Sequence, residues 1–305
     1  MNNYDAEIAA FKKAWAERAS QLTQPPSLEE QRRTFDEENS LIPLPAQCAI
    51  EEINSDGVSG ERLIPKGSDE RRAILYHHGG GHTFGSPRSH RHLVGRLAEA
   101  AGVTGFNMFY RLAPEHPYPA GLDDAICNYR FLLEKGFAAE HIVVAGESAG
   151  GNLTAALLLK LRELGLPLPT GAYLLSPWLD MTQSGEAYER RAPYDPMLTR
   201  DALENCAIAY CSTGASRTDP FVSPAKANLA GLPPLLIQVG TDELLLSDSL
   251  DFARRAALEG LDVQLQVWRG MVHAWPLFHP MLPTAGLGAI RKAGTWIAEK
   301  LASAE

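Results

Sequence analysis

The feature that most constrains this chain is Gly146-Glu147-Ser148-Ala149-Gly150-Gly151, a G-x-S-x-G pattern set between two contrasting runs. Before it stands the apolar, β-branched Ile142-Val143-Val144-Ala145, and after it Asn152-Leu153-Thr154-Ala155-Ala156-Leu157-Leu158-Leu159, which reads as helix. A strand that hands over to a helix through so sharp a turn tolerates only small neighbours, because a side chain at Gly146 or Gly150 would collide with backbone. The Ser148 hydroxyl is then presented at the carboxyl end of a strand. A second stretch, His77-His78-Gly79-Gly80-Gly81, follows the strand-like Ala73-Ile74-Leu75-Tyr76. Its successive glycines leave backbone N–H groups uncovered and able to meet an oxyanion.

Around these two stretches strand and helix patterns alternate. An antiparallel pair over Gln47–Ile53 and Arg62–Lys66 leads to Arg72–His77, a helix near Ser89–Ala101, Val103–Tyr110 and a helix near Gly121–Glu134. His141–Gly146, the helix after Ser148, Thr170–Ser176, Leu235–Gly240, a helix near Ser247–Glu259, Val263–Trp268 and a helix near Ala285–Leu301 complete the series. Such alternation predicts an α/β fold with a mostly parallel sheet and helices on both faces. Ligands of open α/β sheets gather at the carboxyl ends of strands, and both glycine-rich motifs fall there.

Two regions depart from this rhythm. In residues 1–45, Tyr4, Ile8, Phe11, Trp15 and Leu22 recur at helical spacing until Pro25-Pro26 ends the pattern. Ser27-Leu28-Glu29-Glu30 then has the capping-box form for a second helix carrying Leu28 and Phe35. Acidic Asp5, Glu7 and Glu17 offset Lys12, Lys13 and Arg18, which favours a helix packed on the protein itself over one lying on anionic lipid. The second region, 179–230, carries Tyr188, Tyr194, Met197, Leu198, Tyr210 and Phe221 among prolines and charges, too long for an ordinary connection and too apolar for a linker.

A formal net charge of -9 speaks against a nucleic-acid or anionic-membrane binder, since phosphate surfaces demand basic partners. The 45% hydrophobic content suffices for a large core. Cys48, Cys127, Cys206 and Cys211 form no C-x-x-C pair and have no histidine at zinc-ligand spacing, so they read as reduced and mostly buried thiols. The acidic start lacks the pattern of a signal peptide and no run is long enough for a membrane span, which makes the cytoplasm the expected compartment.

From about residue 70 onward the chain resembles the hormone-sensitive-lipase-like branch of the α/β-hydrolases, which includes many bacterial carboxylesterases. The resemblance rests on His78-Gly79-Gly80-Gly81, Tyr110-Arg111-Leu112-Ala113-Pro114-Glu115-His116, Gly146-Glu147-Ser148-Ala149-Gly150-Gly151, Ser176-Pro177-Trp178 and Gly270-Met271-Val272-His273, in that order. It implies an α/β-hydrolase fold with a central sheet of about eight strands. It also implies a helical cap made by residues 1–45 together with part of 179–230, over a catalytic domain of residues 46–305.

In that fold the chain order is nucleophile, acid, histidine. Beyond Ser148 stand only His273 and His279, and His273 lies on a loop just past the last strand whereas His279 sits between Phe278 and Pro280 in a wall or packed position. For the acid, Asp242 is the first carboxylate past Leu235–Gly240 and matches the family position, with neighbouring Glu243 as the alternative because Asp-Glu-Leu stands where Asp-Pro-Leu is common. The N–H groups of Gly80, Gly81 and Ala149 are the expected oxyanion donors. His78 is expected to hold the glycine loop, and Glu147, where the family more often has aspartate, to be structural. Tyr110 to Ala120 and Asp123-Asp124 are expected to brace the site.

The expected reaction is therefore hydrolysis of neutral carboxylic esters through an acyl-serine, with no metal or cofactor. Pocket candidates are His82, Phe84, Trp178, Tyr194, Met197 and Phe278, a crowded aromatic set that favours short to medium acyl chains. A lactone or amide substrate would use the same groups. A receptor-like small-molecule binder is disfavoured because the histidine and an acid are both present. Besides a small-molecule ester, a homodimer is the one partnership left open.

Overall fold

The computed structural model describes residues 4–21, 26–55 and 57–303. The elements run α1 (Asp5–Gln21), α2 (Leu28–Ser40), β1 (Cys48–Ser55), β2 (Val58–Pro65), β3 (Asp69–His77), α3 (Pro87–Ala101), β4 (Val103–Met108), α4 (Ala120–Glu134), β5 (Ile142–Glu147) and α5 (Ala149–Glu163). They continue through β6 (Gly171–Leu175), α6 (Ala187–Arg190), α7 (Arg200–Tyr210), β7 (Leu235–Gly240), α8 (Leu246–Leu258), β8 (Val263–Trp268) and α9 (Pro283–Ala302). The eight strands form one sheet in the order β1-β2-β4-β3-β5-β6-β7-β8. β1 and β2 pair antiparallel, β2 joins β4 antiparallel, and every pairing from β4 to β8 is parallel.

Central parallel strands are covered on both faces, so they read as unbroken apolar runs and their alternate side chains feed two separate cores. Ile142 and Val144 of β5 enter the layer with α4, α5 and α8, while Val143 and Ala145 enter the layer with α3 and α9. β3, β6 and β7 divide in the same way. Fully buried Phe11 joins α1 to the second layer, where it stacks on Trp15 at 5.5 Å and meets Phe278 at 5.4 Å. The α1 helix is thus packed on the protein's own body.

The capping box at Ser27 and Glu30 starts α2 as its sequence predicts. Leu22 and Pro25, expected at the end of α1, lie outside the described residues. The cysteines differ from expectation: all four are free, but Cys127 is exposed and the others are half-buried. Among the described residues no helix is long and apolar enough to cross a membrane.

Candidate active site

Ser148 stands between β5 and α5 with φ 55° and ψ -122°, a conformation that costs a non-glycine residue strain. The glycines on either side allow the close approach. A Cβ on Gly146 would lie 2.3 Å from the Gly150 carbonyl oxygen, and one on Gly150 would lie 2.0 Å from that of His77. The turn is therefore wedged against the end of β3. Ser148 is held by its N–H donating to Leu175 at the end of β6 and its carbonyl accepting from the N–H of Trp178 just past that strand. That leaves its side chain uncommitted as a helix cap.

The glycine loop leaves β3 beside this turn. Gly79 N–H donates to Glu147 Oε1, His78 Nδ1 lies 2.8 Å from the Gly79 carbonyl, and Tyr110 donates to the His78 carbonyl at 2.7 Å. Gly80 and Gly81 follow with φ 107° and 59°, turning their backbone away from the sheet. Among the described residues, the N–H groups of Gly80, Gly81 and Ala149 donate to no protein acceptor. The α7 helix covers the loop, with Cys206 Sγ close over Gly81 and Tyr210 stacked on His82 at 3.9 Å.

Glu147 anchors this end of the site from inside the core. Its carboxylate also accepts from Tyr76 at 2.5 Å and pairs with His90 Nε2 at 2.8 Å, with both charged side chains almost wholly buried. Burial opposes a charge on His90, but the Glu147 carboxylate outweighs it and holds the His90 pKa above its ordinary value. Burial and the same carboxylate drive the Tyr76 phenol well above its ordinary pKa, keeping it a donor.

At the other end the carboxylate that meets the histidine is not the expected Asp242 but its neighbour Glu243. His273 Nδ1 lies 2.9 Å from Glu243 Oε2, and the Glu243 side chain is fully buried. Asp242 turns the opposite way and forms an ion pair with Lys12 of α1 at 2.5 Å. Successive side chains of a tight turn diverge, and the backbone here is committed by Asp242 N–H donating to Met271 and Thr241 N–H to Trp268. Glu243 then has the reach to return to the histidine, while Asp242 is left at the surface of the turn.

Ser176, just past β6, closes the arrangement. Its hydroxyl donates to Glu243 Oε1 at 2.8 Å and accepts from Ala274 N–H at 3.1 Å, so one buried side chain ties the acid loop to the histidine loop. Gly240 N–H gives Glu243 Oε1 a further donor at 2.6 Å. Burial works against a charged His273, but the Glu243 hydrogen bond and charge, with help from Asp195 and Glu147, keep its pKa above the ordinary histidine value. Ser176 lay in a motif without an assigned role. Asp195 and His90 gave no sequence signal beyond a turn-forming Asp-Pro pair and a helix-start histidine.

The pocket candidates separate. Trp178 is fully buried in a cluster with Ala149, Tyr188 and Tyr210, the last of which stacks on His82. Phe84 packs edge-on against Phe35 of α2 at 5.1 Å. Met197 and Phe278 join the apolar layer that holds Phe11. Tyr194 does not wall the site: it is 53% exposed, with the Arg191 guanidinium over its ring, because its segment turns outward there.

Comparison with known proteins identifies the fold and family. Residues 74–277 match the family described as alpha/beta hydrolase fold. An acetyl-hydrolase from Streptomyces hygroscopicus is 41% identical over 226 residues, covering 74% of this chain and 75% of that protein. An esterase from Acinetobacter venetianus is 34% identical over 254 residues, covering 83% and 84%. Among solved structures, an esterase from the bacterial hormone-sensitive lipase family superimposes with a TM-score of 0.92 at 37% identity, over 97% of this chain and 99% of that one. An esterase/lipase from an uncultured bacterium gives the same TM-score of 0.92 at 38% identity, with 97% and 99% covered. The chain belongs to the hormone-sensitive-lipase-like branch of the α/β-hydrolase family.

Proposed function

We propose that this protein is a serine carboxylesterase acting on short- to medium-chain neutral esters, with Ser148, His273 and Glu243 as its triad. The observation that carries the reading is the buried Ser176–Glu243–His273 network at the carboxyl ends of β6, β7 and β8, beside the strained Ser148 turn. Because Glu243 engages Nδ1, the neutral imidazole carries its proton there and offers Nε2 as the base. His273 takes the Ser148 proton as the hydroxyl oxygen attacks the ester carbonyl, and then delivers it to the departing alcohol. The tetrahedral oxyanion is met by the N–H groups of Gly80, Gly81 and Ala149, and the start of α5 adds its dipole. Water repeats the sequence on the acyl-serine, with His273 again as base.

The cap in this reading consists of α1, α2 and part of 179–230. Buried Trp178, Tyr188 and Tyr210 crowd the space above the elbow, which supports short over long acyl chains. Four free thiols are consistent with a cytoplasmic location. The test is turnover of p-nitrophenyl esters of increasing acyl length, with a lactone and an anilide for comparison, and a fluorophosphonate label. Wild type is expected to label at Ser148 and to lose rate steeply beyond about eight to ten acyl carbons as the crowded pocket fills. Ser148→Ala is expected to lose both labelling and turnover, and wild-type turnover in that variant would overturn the mechanism.

A further inference from the structure

The acid loop has an unusual set of holders. Asp242 is gripped by Lys12, Glu243 by Ser176, Gly240 N–H and His273, and Leu244 by Asp195, whose Oδ2 accepts its N–H at 2.9 Å. Gly240 ends β7 and Ser176 directly follows β6. Lys12 comes from α1, and Asp195 from the segment between α6 and α7. Asp195 is itself fixed, since its Oδ1 accepts from Met197 N–H at 2.8 Å and Leu198 N–H at 2.9 Å. Leu244 and Leu245 are fully buried, so without Asp195 the Leu244 N–H would be left unpaired in an apolar setting. Two parts of the chain outside the sheet, 183 positions apart by 195 minus 12, thus hold the residues on either side of Glu243.

We propose that the cap positions the acid of the triad from both sides, with Asp195 and Lys12 as positioning residues for Glu243. Seating of the cap then enters the chemical step rather than only the binding of substrate. The proposal rests on Glu243 and His273 acting as acid and base. The physical ground is that a displacement on the order of 1 Å at a reacting constellation costs on the order of a hundredfold in rate. Asp195 has a second effect, because its carboxylate joins those of Glu243 and Glu147 as the charges that His273 faces from the cap, the β7 loop and the elbow.

Steady-state kinetics of the full chain on p-nitrophenyl acetate test this, with Asp195→Asn, Asp195→Ala, Lys12→Met and Lys12→Arg. Asp195→Ala is expected to lower kcat about 10- to 100-fold with KM within about threefold of wild type. Asp195→Asn keeps the shape but removes the charge, so the acid limb of its kcat/KM profile should move to lower pH. Lys12→Met should cost kcat a few-fold, about the size expected of a partly exposed pair, and Lys12→Arg should restore it. Should Asp195→Ala fail to fold, Asp195→Asn decides through its pH profile. Wild-type kcat and an unmoved acid limb in Asp195→Asn, or losses confined to KM in all variants, would overturn the proposal. Turnover by Ser148→Ala would instead overturn the mechanism beneath it, whereas inactive Ser148→Ala and Glu243→Gln beside unaffected cap variants would sink this inference alone.

Discussion

At the serine end of the site, Glu147 reaches through the core to Gly79 N–H, His90 and Tyr76, whereas at the acid end Asp242, Glu243 and Leu244 are held by Lys12, Ser176 and Asp195. The first set comes from β3, the start of the loop that leaves it, β5 and α3, all tied to the core of the sheet. The second draws on α1 and on the segment between α6 and α7. A serine end built this way is coupled to folding, while an acid end built from outside the sheet can lose alignment with the fold intact. Damage at the two ends should accordingly differ in kind.

The largest effect should separate the two adjacent carboxylates. Glu243→Gln is expected to lower kcat by about 10³- to 10⁴-fold, since loss of the proposed acid leaves the imidazole in the wrong tautomer. Asp242→Asn should cost only a few-fold, about what a partly exposed ion pair contributes. Measured kcat values in the reverse order would restore Asp242 as the acid and break the comparison.

Next comes the glycine loop. Gly80 has φ 107° and a Cβ there would lie 2.1 Å from the Phe84 carbonyl oxygen, so Gly80→Ala must displace the loop. A kcat loss of about 10²- to 10³-fold is expected, the range for an oxyanion donor, with fluorophosphonate labelling slowed alongside. Rapid labelling and turnover in that variant would remove Gly80 N–H from the transition state.

Glu147→Gln should reveal the difference in kind. Breaking a buried ion pair costs about 3–5 kcal/mol of stability, so thermal unfolding should occur well below wild type, with kcat reduced about tenfold as Gly79 loosens. The His90 pKa is raised in the folded protein. The pair's contribution is therefore full below the unfolded value of about 6.5 and fades as pH rises through the folded one, so the wild-type advantage over Glu147→Gln should narrow at alkaline pH. An advantage that grows with pH would mean that His90 is neutral in the fold. Asp195→Asn, by contrast, should change kcat with a smaller change in melting temperature.

The smallest expected effect is a displacement of the pH profile. With His273 as the proposed base, turnover needs its neutral form, and its pKa is raised by Glu243 against the opposing effect of burial, so kcat/KM should climb along a one-proton limb centred above about pH 6.5. A limb centred below that value, with chemistry rate-limiting, would show that burial prevails over the carboxylates.

What could be read from the residues depended on range. The strand–turn–helix around Ser148 and the glycine loop are local patterns whose constraints act within a few residues. The last strand followed by His273 is legible for the same reason. The alternation of apolar runs is enough for the parallel sheet, because buried strands and amphipathic helices leave distinct periods. Short-range chemistry likewise exposes the Ser27 capping box, where both partners lie three residues apart.

Which carboxylate meets His273 was not decidable in this way. Asp242 and Glu243 are neighbours with the same charge, and which of them turns inward is decided by Met271 and Trp268 carbonyls on the β8 side, by the Ser176 hydroxyl past β6 and by Lys12, which lies 230 positions away in the chain. Tyr194 was misplaced for a similar reason, since an aromatic in an inserted segment carries no periodic record of which side faces solvent. Local sequence determined the strained turn, the uncovered N–H groups and the histidine past the last strand, because each is enforced by backbone geometry within its own loop. Tertiary structure decided which carboxylate meets that histidine and what holds it there, because a side chain's direction in a tight turn is set by partners that only the folded sheet and cap bring within reach.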